Sequence, residues 1–341
     1  MVGIKCMDVH IRYKDIDMLR GCLILCVVLG HMGFCADVMY WFHMPAFFVL
    51  GGMLYKSYST LSLGETIKKV ICLYYIPYWG YFIVCRFYRI KIFLGGGMIE
   101  FGKEMIKSFY GGSVAADTVA WYPTCLMFVI VLYRALEKNK YKNLIIVLCY
   151  LGARIEGWLI REKQIQFVCF WGADICLFAI LFYWIGENWK ERIVSFRNWN
   201  KMKIFLLWVF MVFVCCILVR LGKNRIVNLG VNMKYLEYND LFGGVVVPII
   251  FFFMLWLGNI LVCKIKLISN VLSVIGKNSI AIMWLHMPIL DVLARIPLLD
   301  QCRIFKFLMV VVGSICFSYI VKKNKYTNII FFGYRSKSNN L

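Results

Sequence analysis

Long apolar runs alternate with short segments rich in lysine and arginine along nearly the whole chain. A helix of about 20 apolar residues can cross a bilayer, so this alternation predicts a polytopic bundle of transmembrane helices. We therefore expect an all-α fold with about ten spans. The predicted spans are 19–36, 41–56, 69–86, 119–135, 143–155, 167–186, 203–220, 241–263, 277–294 and 304–321.

The composition also indicates a membrane protein. The chain has 341 residues, of which 62% are hydrophobic, and its mean hydropathy is +0.74; a soluble domain is roughly 45–50% apolar. We expect a cytoplasmic segment at 1–18, one membrane domain at 19–321 and a cytoplasmic tail at 322–341. The first apolar run carries Arg20 and lacks a small-residue cleavage site, so it predicts a span and not a signal peptide.

The formal net charge is +21. The basic residues fall between the apolar runs and are more frequent in the segments that would face the cytoplasm. This distribution predicts that both termini are cytoplasmic and that the surface contacts anionic lipid. Because no nucleic-acid-binding motif accompanies the charge, we expect no nucleic-acid partner.

The cysteines and histidines give no metal-binding pattern. Most of the 15 cysteines lie inside apolar runs, where a thiol behaves as a small hydrophobic group. No pair of cysteines has the CxxC spacing of a zinc site, and no two histidines have HxxxH or HxH spacing. The sequence therefore predicts no bound metal.

Arg20 and His31 are the first candidate functional residues. They are eleven positions apart, about three helical turns, so they share one face of the first predicted helix at a separation of roughly 16 Å. Ionisable groups at membrane depth are costly and mark functional paths. A histidine suits general-base chemistry near neutral pH, and an arginine binds phosphate. Asp17, three residues before Arg20, is placed to form an intrahelical ion pair.

Two more histidines lie in predicted spans. His43 opens the second span and His286 lies midway along the ninth. The predicted spans place these two histidines and His31 at similar depths in the membrane, so all three could line one cavity. The alternative is that each histidine binds a separate backbone carbonyl. The second span also contains Pro45 and Gly51-Gly52, which predict a broken or re-entrant helix.

Other polar and aromatic residues have two interpretations each. Arg12 and Lys14 precede Arg20 on the same side, where they would either bind a phosphate-rich donor or anchor the chain to lipid. Asp174 would either orient a histidine or form a structural pair. Trp121 and Tyr122 would either belong to an interfacial aromatic belt or stack on a sugar.

Several stretches together resemble a known family. The chain is similar to the acyltransferase-3 family of membrane acyltransferases and most similar to its fucose 4-O-acetylase-like branch. The resemblance extends over roughly residues 12–320. It is carried by residues 13–21 (YKDIDMLRG), 27–31 (VVLGH), 42–48 (FHMPAFF), 121–126 (WYPTCL) and 275–288 (IGKNSIAIMWLHMP).

The resemblance implies a bundle of about ten helices that transfers an acyl group, usually acetyl from acetyl-CoA, to hydroxyls of cell-surface glycans. The family's basic residue and histidine, with ten residues between them, correspond to Arg20 and His31, and that histidine is regarded as catalytic. His43 and His286 correspond to the later histidines. The resemblance also implies the inner (plasma) membrane of a bacterium.

The sequence thus predicts a membrane O-acetyltransferase that acts on a glycan or its lipid-linked precursor. His31 would be catalytic, with His43 or Asp174 assisting it, and Trp121, Tyr122 and His286 would lie in the acceptor pocket. The expected partners are acetyl-CoA as co-substrate, a carbohydrate acceptor and membrane lipid, with no cofactor. The sequence is compatible with either a monomer or a homodimer. The alternative is a transporter or flippase whose ionisable residues line a substrate path.

Overall fold

The fold is described from a computed structural model, which describes residues 14–87, 97–110, 119–163, 169–296, 299 and 301–333. These residues are almost entirely helical. Their one β-ladder is a short antiparallel pair, β1 (Val231–Asn232) and β2 (Glu237–Tyr238), in which Val231 pairs with Tyr238. The predicted all-α class is therefore confirmed.

The helices follow the predicted apolar runs. In chain order they are α1 (Lys14–His31), α2 (Ala36–Met53), α3 (Lys56–Ser59), α4 (Leu63–Val70), α5 (Ile76–Phe87), α6 (Gly97–Tyr110), α7 (Trp121–Leu136), α8 (Lys142–Lys163), α9 (Ile175–Ser195), α10 (Lys201–Lys223), α11 (Val247–Val262), α12 (Lys266–Lys277), α13 (Ser279–Ala294), α14 (Arg303–Lys323) and α15 (Lys325–Phe332). One π-helical turn, Ile71–Tyr75, joins α4 to α5, and another, Phe242–Val246, precedes α11.

Fewer helices than predicted are long and apolar enough to cross a membrane. Among the described residues five segments pass this criterion, and a sixth is added if α12 and α13, which are bent by 76°, count as one span. The count of about ten spans is therefore not confirmed. The five segments are Lys142–Lys163, Phe170–Asn198, Lys201–Lys223, Phe242–Val262 and Arg303–Lys323.

The predicted spans that fail the criterion are still helical. The N-terminal half of α1 carries four charged residues, which lower its apolarity. Helix α7 has only 16 residues, which is shorter than the roughly 20 that a full crossing needs. Both helices pack inside the bundle, where protein covers Asp17 of α1 and Thr124 of α7.

The break in a span occurs at a different place from the predicted one. Helix α2 continues through Pro45 to Met53, so the expected break there is wrong. A proline removes only one backbone hydrogen bond, and the packing of α2 against α1 and α9 compensates for it. The bend instead lies at Asn278, the residue between α12 and α13, whose side-chain amide donates to the carbonyl of Val274.

Helix α9 lies at the centre of the bundle, whereas α8 and α10 lie at its edge. In the membrane-spanning windows, 61% of the residues in the α9 segment are buried, against 17% in α8 and in α10. Apart from Cys216 and the basic residues near its two ends, the exposed residues of α10 are large and apolar, as a lipid-facing surface requires. The candidate site therefore belongs among the inner helices.

Helices α1 and α12 pack with their backbones in close approach. A Cβ atom at Gly21 would overlap the carbonyl oxygen of Leu272, and one at Gly276 would overlap that of Asp17. Small residues at facing positions allow two membrane helices to approach this closely. Because Gly276 precedes Lys277, this contact brings Lys277 to the same end of α1 as Arg20.

Candidate active site

A cavity of about 640 Å³ lies among α1, α2, α7, α13 and the loop that contains β1. Its volume is typical of a small-molecule site. It is hereafter called the main cavity. Six of the predicted site residues line it, namely Arg20, His31, His43, Trp121, Tyr122 and His286.

The main cavity extends along α1. This single uninterrupted helix carries Arg20 in its first half and His31 as its last residue, so the eleven-residue spacing corresponds to roughly 16 Å. Arg20 Nη1 lies 3.6 Å from Asp17 Oδ1, which confirms the predicted ion pair. Lys277 also lines the cavity, although sequence reasoning did not select it. The Arg20 end therefore contains two cationic side chains.

The histidines converge at the other end. The ring centroids of His31 and His286 are 4.9 Å apart. The ring of Tyr40 links His31 to His43, with centroid distances of 5.7 Å and 5.4 Å respectively. The predicted shared cavity is therefore present.

Two of the histidines also contact backbone carbonyls, as the alternative interpretation expected. His43 Nδ1 lies 2.5 Å from the carbonyl oxygen of Met39, and His286 Nδ1 lies 3.0 Å from that of Ile282. A carbonyl oxygen only accepts, so both Nδ1 atoms carry a proton and donate it. Each Nε2 atom of the neutral ring is then an acceptor. The two interpretations are thus compatible, because the carbonyls orient rings that face a common cavity.

The acceptor on His286 is unpaired. Its side chain is fully buried, and Nε2 has no hydrogen-bond partner among the described residues. A buried acceptor without a partner costs about 1–3 kcal/mol. This atom, next to the ring of His31, is therefore suited to a hydroxyl or N–H donor that enters the cavity.

Tyr40 orients His31. Its hydroxyl oxygen lies 3.3 Å from His31 Nδ1. When that nitrogen carries the proton, it donates to the Tyr40 oxygen, and Nε2 carries the lone pair that a base needs. Sequence reasoning missed Tyr40. Its only signal was its position three residues before His43 on the same predicted helix, where it shares a face with that histidine.

The loop after α10 closes the histidine end. Val231, Lys234 and Tyr235 line the main cavity. Lys234 lies close enough to His31 for the two side chains to interact electrostatically. No motif pointed to this loop, because its position depends on long-range packing.

Aromatic side chains form the wall on α7. The ring of Tyr122 lies 5.7 Å from that of Phe47 and 5.2 Å from that of Phe48, measured between centroids. Trp121 and Tyr122 both line the cavity, at the start of α7. This wall therefore offers aromatic surface between the two ends of the cavity.

Lys14, a second predicted donor-binding residue, does not line this cavity. Lys14 donates to Ser269 Oγ at 2.8 Å and to Asn270 Oδ1 at 2.7 Å, and both acceptors lie on α12. Lys14 therefore holds the start of α1 against α12. Arg12 lies outside the described residues.

Asp174 is also absent from the lining of the main cavity. Its carboxylate accepts from the N–H of Ile175 at 2.9 Å and so caps the start of α9, where a negative charge is favourable. Glu156 and Cys169 are its neighbours, with the candidate ligand atoms of all three residues within 4.8 Å of one another. The predicted contact of Asp174 with a histidine is therefore not present, since the side chain lies beside α8 instead.

Comparison with known proteins identifies a family. The family model described as an acyltransferase domain (Acyl_transf_3) matches residues 13–323. This match covers both ends of the main cavity and nearly all of the described helices. No curated protein and no solved structure matches the chain.

Proposed function

Because the chain belongs to the acyltransferase-3 family, and is thus a membrane acyltransferase, we propose that it transfers acetyl from acetyl-CoA to a hydroxyl of a cell-surface glycan or its lipid-linked precursor. One observation carries the proposal. A single cavity connects two cationic side chains, Arg20 and Lys277, to the paired rings of His31 and His286. An anionic acyl donor and a reactive hydroxyl could therefore meet inside it.

The cationic end suits the donor. Coenzyme A carries several phosphate charges, and the guanidinium of Arg20 can bind a phosphate through two hydrogen bonds while Lys277 adds a point charge. The thioester would then extend along α1 past the wall formed by Trp121 and Tyr122. The roughly 16 Å between Arg20 and His31 leaves room for the flexible part of coenzyme A that joins its phosphates to the thioester.

The histidine end suits the transfer. We propose that His31 Nε2 accepts the proton of the acceptor hydroxyl while its Nδ1–H donates to Tyr40. The hydroxyl oxygen attacks the thioester carbon, the carbon–sulfur bond breaks, and the departing thiolate takes the proton from His31. The alternative route, in which His31 carries the acetyl group transiently, uses the same residues. His286 Nε2 offers a second acceptor, which suits another hydroxyl of the incoming glycan.

The proposed orientation places both termini in the cytoplasm of a bacterium and the histidine end towards the outer face of its inner membrane. The distribution of lysine and arginine supports it. We predict that a cytoplasm-dependent reporter is active when fused to either terminus. If a reporter that works only after export is active at the C-terminus but not at the N-terminus, the two termini lie on opposite sides of the membrane. That result would contradict the prediction.

The function is tested by analysing the surface glycan of cells with and without the gene. NMR of the purified glycan should show ester-linked acetate only when the protein is present. Purified protein should also bind acetyl-CoA. Identical acetate in both strains, together with no binding of acetyl-CoA, would contradict the proposal. The family match favours this acyl transfer over the transporter alternative.

A further inference from the structure

A second cavity, of about 400 Å³, adjoins the histidine end of the main cavity. Tyr40, Val231, Asn232 and Tyr235 line both cavities. The loop that contains β1 is therefore a common wall between them, and a ligand that extends around this wall would occupy both.

The wall is held in place by close packing. A Cβ atom at Gly157 on α8 would overlap the carbonyl oxygen of Leu236, so only glycine allows the hairpin to lie on that helix. Gly230 has φ +143 and lies against the indole of Trp41. The side-chain amide of Asn239 donates to the carbonyl of Gly230 at 2.6 Å. The second cavity is thus a built feature between α2, α8 and this loop.

The lining of the second cavity has the chemistry of a sugar site. Asn228 and Asn232 offer amide donors and acceptors, and Arg161 and Glu237 add one charge of each sign. Tyr40 and Tyr235 expose 37% and 58% of their surface, so their rings are accessible. A polyhydroxylated ring needs many hydrogen-bonding groups together with an apolar face, and this lining supplies both.

Tyr40 joins the second cavity to the reaction centre. Its hydroxyl oxygen is 3.3 Å from His31 Nδ1, while the same side chain lines the second cavity. A group bound in the second cavity is therefore separated from His31 by a single side chain. The cationic residues Arg20 and Lys277 line only the main cavity, so the donor does not compete for this space.

We propose that the second cavity binds a neighbouring sugar unit of the acceptor. This inference rests on the proposed function. One unit presents its hydroxyl to His31, and the adjacent unit is held by Asn228, Arg161 and Tyr235. The acceptor is accordingly an oligosaccharide chain of two or more units, and a free monosaccharide is a poor substrate.

The test compares acceptors of different length. Surface glycan from the producing cells is deacetylated with mild alkali and cut into oligosaccharides, and part of it is hydrolysed completely to monosaccharides. Purified protein is given radiolabelled acetyl-CoA with each acceptor. We expect transfer to the oligosaccharides to exceed transfer to the monosaccharides by at least about tenfold, as several added hydrogen bonds would produce.

Variants then localise the preference. Asn228→Ala and Arg161→Ala should each lower transfer to oligosaccharides by about fivefold, through the KM for that acceptor, while acetyl-CoA binding is retained. Asn224→Ala and Arg220→Ala are the matched controls, since both residues are exposed at the end of α10 and line neither cavity. We expect them to behave as wild type.

Each failure has its own signature. Equal transfer to monosaccharides and oligosaccharides, or a preference that both cavity variants leave intact, would overturn the second-cavity assignment and leave the proposed function standing. Binding of acetyl-CoA without transfer to any glycan acceptor would overturn the glycan acceptor itself, and with it this inference.

Discussion

The two ends of the main cavity work by different physical means. At one end Arg20 and Lys277 present positive charge, and Arg20 is partly exposed and weakly restrained by Asp17 at 3.6 Å. At the other end each histidine has a defined hydrogen bond at Nδ1, with Tyr40 for His31, Met39 for His43 and Ile282 for His286. Charge attracts an anion over a range of geometries, whereas proton transfer needs one nitrogen in one place.

This difference indicates how each end tolerates substitution. The cationic end should lose affinity gradually when charge or geometry is altered. The histidine end should lose rate abruptly, because removing one nitrogen removes the proton acceptor. Substitutions at the cationic end should therefore change the affinity for the donor, and substitutions at the histidine end should change kcat.

The largest effect is expected for His31→Ala. We predict a loss of transfer of about 10²–10⁴-fold, the usual contribution of a general base, with acetyl-CoA binding retained. The measurement is glycan acetate in cells that contain equal amounts of membrane-inserted protein. Phe34→Ala is the control, since Phe34 is exposed three residues later and does not line the cavity. Wild-type acetate in His31→Ala would exclude His31 as the base.

A smaller effect is expected for Arg20→Ala. Loss of a charge-assisted hydrogen bond should weaken acetyl-CoA binding by about tenfold or more, and Arg20→Lys should be weakened less because the charge remains. Titration of purified protein with acetyl-CoA measures both. Lys266→Ala, an exposed change at the start of α12, should bind as wild type. Unchanged affinity in both Arg20 variants would make this residue a topological anchor only.

Tyr40→Phe should have a modest effect. The ring remains but the hydroxyl that orients His31 is lost, so we predict a decrease in kcat of about fivefold with little change in the KM for acetyl-CoA. Tyr141→Phe is the matched control, because Tyr141 is exposed and distant in sequence from the cavity residues. A decrease in donor affinity without a change in kcat would argue against an orienting role.

The smallest effect is expected for Asp174→Asn. The asparagine oxygen can still accept from the N–H of Ile175, and residue 174 does not line the main cavity. Transfer should stay within about twofold of wild type in the same acetate assay. A loss as large as that of His31→Ala would restore the sequence-based role of Asp174 beside a histidine.

The sequence determined the elements and the face of α1. Apolar runs fixed where helices form, and the eleven-residue spacing placed Arg20 and His31 on one side of a single helix. These are local consequences of helical geometry, which any reader of the sequence can derive. The family motifs extended this to His43, Trp121, Tyr122 and His286, all of which line the main cavity.

Only the tertiary structure decided what surrounds those residues. Tyr40, Lys277 and the loop at Val231–Tyr235 reach the cavity through helix packing and a folded-back hairpin, which no local pattern encodes. The same packing assigned Asp174 to the cap of α9. The apolarity of a segment indicates whether its helix faces lipid, protein or water on average. The contacts of a given side chain depend instead on which helices meet, at what angle, and at which glycines they approach closely.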